Sequence, residues 1–242
     1  MDLKKVSQQL RDRVEALTFD APVDTVYNPL RHAWAPHAAY LERYGERHGT
    51  GRALLVGMNP GPFGMVQTGV PFGAVSMVRD WMGIHEPVER PAREHRKRPV
   101  EGFACTREEV SGARLWGWAR DRFGTPDAFF ERFFAHNLVP LAFVTATGAN
   151  LTPDKLPAEQ RDPLLEASLA ALRSLVIELQ PSIVIGVGVF AEQQAAAATD
   201  GLGVRIGRIL HPSPASPAAN RGWAPQAERQ LAALGVLPAA TP

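Results

Sequence analysis

The chain has 242 residues, enough for one large domain with a full core or at most two small ones. An apolar fraction of 45% and a charged fraction of 21% are ordinary for a soluble globular protein, and a net charge of +1 is too balanced for one that coats nucleic acid. The single cysteine, Cys105, excludes an intramolecular disulfide, a cysteine-based zinc site and a four-cysteine iron–sulfur cluster.

No run of about 18 apolar residues offers a membrane span. The opening Met1-Asp2-Leu3-Lys4-Lys5 lacks the apolar stretch of a signal peptide, so the expected location is inside the cell, with no membrane partner. The seven histidines are scattered without His-x-His or His-x-x-x-His spacing. A mechanism without metal or cofactor is the expectation.

In chain order, the first 50 residues read as a helical lead-in with Val14, Leu17 and Phe19 as apolar anchors. Four segments read as buried strands: Ala53–Gly57, Asn137–Val144, Ile183–Val187 and Val204–Leu210. Each is short, rich in β-branched residues or Leu, and bounded by Gly or Pro. Helical patterns lie between them at Ala74–Met82, Ser111–Phe123, Ala191–Ala198 and Ala227–Leu234. A stripe of Leu165, Leu169, Leu172, Val176 and Leu179 ends before Pro181. Alternating strands and helices predict a single α/β domain, with a mostly parallel sheet and helices on both faces. Gly83–Val110 is the longest stretch without periodicity, a loop expected to be functional or mobile. Within it Arg90–Arg98 holds five Lys/Arg against one acid, either a local nucleic-acid footprint or a solvated loop. The tail, Pro238–Pro242, is expected to fray.

Two strand-like runs stop at a polar residue inside a rigid loop. Leu55–Met65 places Asn59 before Pro60-Gly61-Pro62, and Leu210–Pro217 places His211 before Pro212-Ser213-Pro214. Stiff loops at strand ends are where open α/β sheets build reactive sites. The Asn59 carboxamide can orient a water or donate to a ligand, or simply make a turn. His211 can donate to an oxygen that gains negative charge, or satisfy a backbone carbonyl. Ser213, between two prolines, is expected to keep both its N–H and its hydroxyl for a phosphate. Asn137, at the start of its predicted strand, offers one acceptor and two donors side by side. That set matches the N3–H and O4 edge of uracil and mismatches cytosine. Phe72 can stack on a base or serve as core. No Ser/His/Asp signature, Walker loop or Gly-x-Gly-x-x-Gly fingerprint is present, and neither loop holds a lysine.

Together these residues resemble the single-strand-selective monofunctional uracil-DNA glycosylases. Gly57-Met58-Asn59-Pro60-Gly61-Pro62-Phe63-Gly64-Met65 with Gln67–Gly73 looks like the family's first motif, and His211-Pro212-Ser213-Pro214 with Asn220, Gly222 and Trp223 like its second. The likeness extends through Tyr27-Asn28-Pro29, Ala33–His37, Val78–Trp81, Ser111–Arg114, Asn150–Pro153 and Val184–Gly188, and covers most of residues 25–237. It implies a three-layer α/β/α sandwich on a four-stranded parallel sheet, with the pocket at the C-terminal strand ends. It implies that Asn59 places the attacking water, His211 bonds O2 of the leaving uracil, Phe72 stacks and Asn137 reads the polar edge. Met58 and Gly61 would line the pocket, and Gly61 and Met65 would leave room for a small polar group at C5. Uracil and oxidised uracils such as 5-hydroxymethyluracil, in single- or double-stranded DNA, are the implied substrates. The enzyme would be a metal-independent monomer in a bacterial cytoplasm or a eukaryotic nucleus. A damage-binding protein with little turnover and a nucleoside or nucleotide hydrolase are the competing readings. One departure stands out. Where the family commonly has Arg-Asn-Pro as part of a DNA wedge, this chain has Ala215-Ser216-Pro217. With so short a side chain, weaker action on paired uracil is expected.

Overall fold

The computed structural model describes residues 2–238. Four parallel strands form the central sheet in the order β3-β2-β6-β7. They are β2 (Ala53–Gly57), β3 (Phe133–Asn137), β6 (Ile183–Val187) and β7 (Arg205–Ile209). Every residue of β2, β3 and β6 is buried, so both faces of the sheet are covered, as a parallel sheet requires. The helix Val189–Ala198 packs on β6, β7 and β2. It comes close because Gly186 has no Cβ; one there would collide with the Glu192 backbone. The helices Leu3–Glu15 and Ala158–Leu179 pack together outside it. Trp223–Ala233 lies against β7 and the helix Val110–Phe123. The expected α/β/α sandwich on a four-stranded parallel sheet is therefore what the chain forms.

The strand expected over Asn137–Val144 is instead divided. Asn137 closes β3, and the chain then leaves the parallel sheet at Pro140 and starts β4 (Ala142–Thr145). Leu138 N–H and Val139 N–H still donate to Gly57 and Met58 carbonyls, but Pro140 has no N–H to continue an interior ladder. A second, antiparallel sheet, β1-β4-β5, joins β4 to β1 (Val23–Tyr27) and β5 (Asn150–Leu151), with Tyr27 opposite Ala142 and Phe143 opposite Leu151. The lead-in is thus not purely helical, since it supplies β1. β7 also departs from expectation. It is an edge strand with Arg205 and Arg208 exposed, not a buried run.

The other helices fall near their predicted places, at Val110–Phe123, Ala158–Leu179, Val189–Ala198 and Trp223–Ala233. Ala74–Met82 reduces to a wide π-type turn at Met77–Trp81. On Ala158–Leu179 the buried side is Leu164, Ala167, Ser168, Leu172, Leu175, Val176 and Leu179; Leu165 and Leu169 sit at its margin. Gly83–Val110 is irregular apart from one short turn at Gly102–Ala104, but it is tied down. The Tyr27 hydroxyl donates to the Arg98 carbonyl and accepts from His95 N–H, and Gln67 Oε1 accepts from Glu101 and Gly102 N–H. Of the predicted frayed tail, residues 239–242 lie outside the described part of the chain. No helix among the described residues is long and apolar enough to cross a membrane.

Candidate active site

The C-terminal ends of three parallel strands open onto one cavity of about 340 Å³. The loop after β2 delivers Met58–Pro62 and Met65, β3 delivers Asn137, and the loop after β7 delivers His211, Ser213 and Pro214. Phe72, Glu109 and Ser111 close another side, and Asn150 and Thr152 from the antiparallel sheet complete the wall. Gathering groups from several strand ends is the usual way an open α/β sheet makes a ligand crevice.

His211 is defined by its neighbour. Ser213 N–H donates to His211 Nδ1 at 3.0 Å, so Nδ1 is the acceptor and the proton of the neutral ring sits on Nε2. Burial without a compensating charge pushes its pKa down to about 4. At neutral pH the ring is an uncharged donor facing the cavity. The expectation for Ser213 is corrected by the same bond, because its N–H is used internally. Its Oγ in turn accepts from Ala215 N–H at 3.1 Å.

The Asn59 amide makes only long contacts through Nδ2, to the Pro60 carbonyl at 3.3 Å and the Leu141 carbonyl at 3.4 Å. Its Oδ1 takes no hydrogen bond from the described residues. Asn137 is buried, and its Nδ2 approaches the Met65 thioether at 3.3 Å. A thioether is a weak acceptor, so the amide keeps most of its hydrogen-bonding capacity for a ligand.

Phe72 sits at φ +56°, a left-handed conformation that a bulky residue rarely adopts. Several contacts hold it there. Trp116 Nε1 donates to the Pro71 carbonyl at 3.2 Å, Ala74 N–H donates to the Phe72 carbonyl at 2.8 Å, and Gly112 lets the helix Val110–Phe123 abut that carbonyl. Strain of this kind persists only where the surroundings over-determine it, and it clusters at ligand sites. The Phe72 ring lies 6.4 Å from that of His211. Gly57 is equally constrained, since a Cβ there would collide with both Asn137 Oδ1 and the Phe72 ring.

All nine expected residues from Met58 to Pro214 line the cavity: Met58, Asn59, Gly61, Met65, Phe72, Asn137, His211, Ser213 and Pro214. Ala215, Ser216 and Pro217 do not. They follow Pro214 beyond the wall, where Ala215 and Pro217 are exposed and Ser216 Oγ caps the short helix Pro217–Asn220. The basic stretch is split in use. Arg98 lies over the Phe63 ring at 4.9 Å, as does Arg107 from beyond the stretch at 4.1 Å, while Arg93 faces Asp24 and Lys97 donates to the Thr147 carbonyl.

Two residues not singled out from the sequence also belong here. Arg114 donates to the carbonyls of Pro212 at 3.0 Å and Ser213 at 3.4 Å and to Asn220 Oδ1 at 2.9 Å. Asn220 Nδ2 returns to the Pro214 carbonyl at 2.9 Å, so the whole His211 loop is braced. Glu109 puts a largely buried carboxyl against Gly61 and Gly64. Burial raises its pKa, opposed by the N–H groups of Ser111 and Phe63. Arg114 did appear in the Ser111–Arg114 block, but nothing local in the sequence marks either side chain as part of the site. Among the described residues no cluster of three or more His, Cys, Asp or Glu could hold a metal.

A parallel α/β/α sandwich with an amide on one strand-end loop, a neutral imidazole on another and one cavity lined by both defines a base-recognising hydrolase. Residues 45–233 match the model of the uracil DNA glycosylase superfamily. The chain belongs to that superfamily, within its group of single-strand-selective monofunctional enzymes. It is 49% identical to the single-strand selective monofunctional uracil DNA glycosylase of Bos taurus, over 96% of this chain and 86% of that one. Identity to the Mus musculus protein of the same name is also 49%, over 96% of this chain and 84% of the other. The crystal structure of wild-type Pedobacter heparinus SMUG2 superposes with a TM-score of 0.66 at 17% identity, covering 97% of this chain and 99% of that one.

Proposed function

We infer that this protein is a uracil-DNA glycosylase of base-excision repair. It hydrolyses the bond between C1′ and N1 of deoxyuridine in DNA, releasing uracil and leaving an abasic site. One observation carries the reading. Asn59 and His211, whose Oδ1 and Nε2–H have no protein partners among the described residues, line the same cavity as Asn137.

The chemistry follows from those groups. As the C1′–N1 bond breaks, its electron pair goes to the base and negative charge grows on O2. The His211 Nε2–H donates to that oxygen, a preorganised donor of the kind typically worth about 3–4 kcal/mol. Asn59 Oδ1 accepts from a water on the opposite face of the sugar, and that water adds to C1′. An amide is a poor base, so the water gives up its proton late and the reaction leans on departure of the anion. Phe72 stacks on the ring. Asn137 accepts from N3–H and donates to O4, which selects uracil over cytosine. Among the described residues no lysine lines the cavity to form a Schiff base, which supports a reaction without a strand-cleaving step.

The finer reading includes oxidised uracils such as 5-hydroxymethyluracil among the substrates, DNA in both single- and double-stranded form, a monomeric enzyme, and action in the compartment that holds the DNA. Ser213 and Pro214 at the rim meet the backbone of the flipped nucleotide.

The test is base release from an oligonucleotide with one deoxyuridine, single-stranded, opposite G and opposite A, with EDTA present and His211→Ala alongside. Release that survives EDTA and collapses in the variant is expected. No release from any strand, with salt-sensitive DNA binding intact, would favour a damage-binding protein, the reading that the short Ala215 rim supports. Release from free deoxyuridine with no dependence on salt would favour a nucleoside hydrolase, because several phosphate contacts make DNA binding fall steeply with salt.

A further inference from the structure

Among the described residues Glu109 is the one acidic side chain lining the cavity, and the mechanism above does not use it. It is largely buried, and its carboxyl is engaged by the backbone N–H groups of Ser111 and Phe63 but by no ion pair or side-chain hydrogen bond among the described residues, so it keeps accepting capacity for a ligand. Its carboxyl rests so close to Gly61 that a Cβ there would collide with Oε2, and its Cγ lies against Gly64. A carboxylate in this place carries a cost. A negative charge lining the pocket opposes the growth of negative charge on the departing base. Retaining it calls for a compensating role, and the order of groups around the ring indicates which.

With O2 at His211 and the N3–O4 edge at Asn137, the next position around the pyrimidine is C5. The Asn137 nitrogen that serves O4 touches Met65 Sδ at 3.3 Å, so C5 faces the Gly61–Met65 turn, on which the Glu109 carboxyl rests. We propose that Glu109 is a specificity-determining residue, whose carboxyl accepts a hydrogen bond from a hydroxyl carried on C5 of the flipped base. This rests on the glycosylase reading and refines it. A 5-hydroxymethyl group gives the carboxyl a further donor beside the Ser111 and Phe63 N–H groups; a 5-methyl group of similar size covers it with apolar surface and supplies none. A site built around a polar partner rejects the analogue lacking it far more strongly than an apolar pocket rejects an extra methylene. Uracil, with hydrogen at C5, leaves room for water at the carboxyl.

The experiment compares kcat/KM for uracil, 5-hydroxymethyluracil and thymine in one single-stranded oligonucleotide, for the wild type, Glu109→Gln and Glu109→Ala. Melting temperatures are taken for each. The expected result is a roughly tenfold fall in the ratio of 5-hydroxymethyluracil to uracil in Glu109→Gln, since a hydrogen bond to a charged group is replaced by one to a neutral amide. The ratio of 5-hydroxymethyluracil to thymine should narrow in the same direction and further in Glu109→Ala. A fall of all three substrates by one common factor, or an unchanged ratio in a folded variant, overturns the proposal and makes Glu109 a packing residue. Wild-type enzyme that releases uracil but discriminates 5-hydroxymethyluracil from thymine no differently from Glu109→Ala overturns it as well. Wild-type enzyme that releases no base at all is the separate failure, that of the glycosylase reading.

Discussion

Ser213 N–H and His211 Nδ1, 3.0 Å apart, decide what the active-site imidazole can offer. A backbone amide can only donate, so the ring must accept there and must carry its proton on Nε2. The neutral ring is then a donor aimed at the cavity, and low solvation keeps it neutral down to about pH 4. Two consequences are open to measurement. The kcat for uracil release should be level on the acid side until about pH 4. Below that, protonation of Nδ1 sets two donors face to face and shifts the loop. A break near pH 6.5 would mean that the ring is not desolvated as described. His211→Ala should lower kcat by about a hundredfold or more, the usual cost of one preorganised donor. Asn59→Ala should cost less on bases that leave easily, because departure of the anion rather than attack of water limits the rate. The opposite order on both uracil and 5-hydroxymethyluracil would count against this division of labour.

Global stability has its own pH dependence. His37, His136 and His211 are held neutral by burial, with pKa values pushed down to about 4, 3 and 4, and His37 also depresses His136. In the unfolded chain each titrates near 6.5. The unfolded state therefore binds more protons between those limits. The stability that these side chains contribute is whole above about pH 6.5 and is lost as pH falls toward 4, at about 1.4 kcal/mol per pH unit for each. Denaturant midpoints at pH 7.5, 6.0 and 4.5 should fall in that order. His136→Leu should flatten the trend; an equally steep trend in that variant would assign the loss to other groups.

Arg114 reaches the His211 loop from the helix Val110–Phe123, 98 residues earlier in sequence than Pro212. Its Nη1 donates to the carbonyls on either side of Ser213 N–H while Nη2 holds Asn220 Oδ1, and together they fix the geometry of the donor that sets the His211 tautomer. Arg114→Ala should lower kcat by about tenfold with a smaller change in KM. Arg114→Lys, which keeps the charge but loses the fork of donors, should restore little. Full recovery in the lysine variant would show that charge, not bracing, is what matters.

The contrast between His211 and Arg114 also shows what a sequence can disclose. The His211 loop is legible because Pro and Gly write its stiffness into the chain, and β2 because Leu54-Leu55-Val56 ends at Gly57. The α/β alternation follows from periodicity in the same way. Asn137 stands out by its amide, but the apolar run after it points to the start of a strand where the fold has the end of one. Leu138, Val139, Leu141 and Ala142 continue the apolar run past β3, so only Pro140 marks the exit into a second sheet. That second sheet joins β1 to β4 and β5 across more than a hundred residues, a pairing without a local signature. Glu109 and Arg114 act through contacts with distant loops. The positive φ of Phe72 depends on Trp116 and Gly112, which no reading of residues 70–73 alone can supply.

Gly57 offers a test of the base-reading wall that removes no functional side chain. Its missing Cβ is the space shared by Asn137 Oδ1 and the Phe72 ring. Gly57→Ala must displace one or both, at a cost of about 1–3 kcal/mol in stability for an overpacked site. Release of uracil should fall with a rise in KM, and discrimination against cytosine should weaken. Retained affinity and discrimination in a folded variant would remove Asn137 and Phe72 from the recognition surface.

The rim after Pro214 sets the last expectation. Ala215 is exposed and has only a methyl group, and Ser216 is occupied as a helix cap. Neither can fill the gap left in a duplex when a base swings out. Extrusion costs a few kcal/mol from paired DNA and least from a mismatch or a single strand. With no side chain to offset that cost, the enzyme should rank single-stranded uracil first, uracil opposite G next and uracil opposite A last. Ala215→Arg should raise activity on the U·A duplex by several-fold and leave the single-stranded rate nearly as it was, because only the duplex has a gap to fill. Equal rates on all three substrates, unmoved by Ala215→Arg, would mean that the duplex is opened from elsewhere on the protein. Phe63, flanked by the Arg98 and Arg107 guanidinium groups beside the pocket loop, would then be the next side chain to truncate.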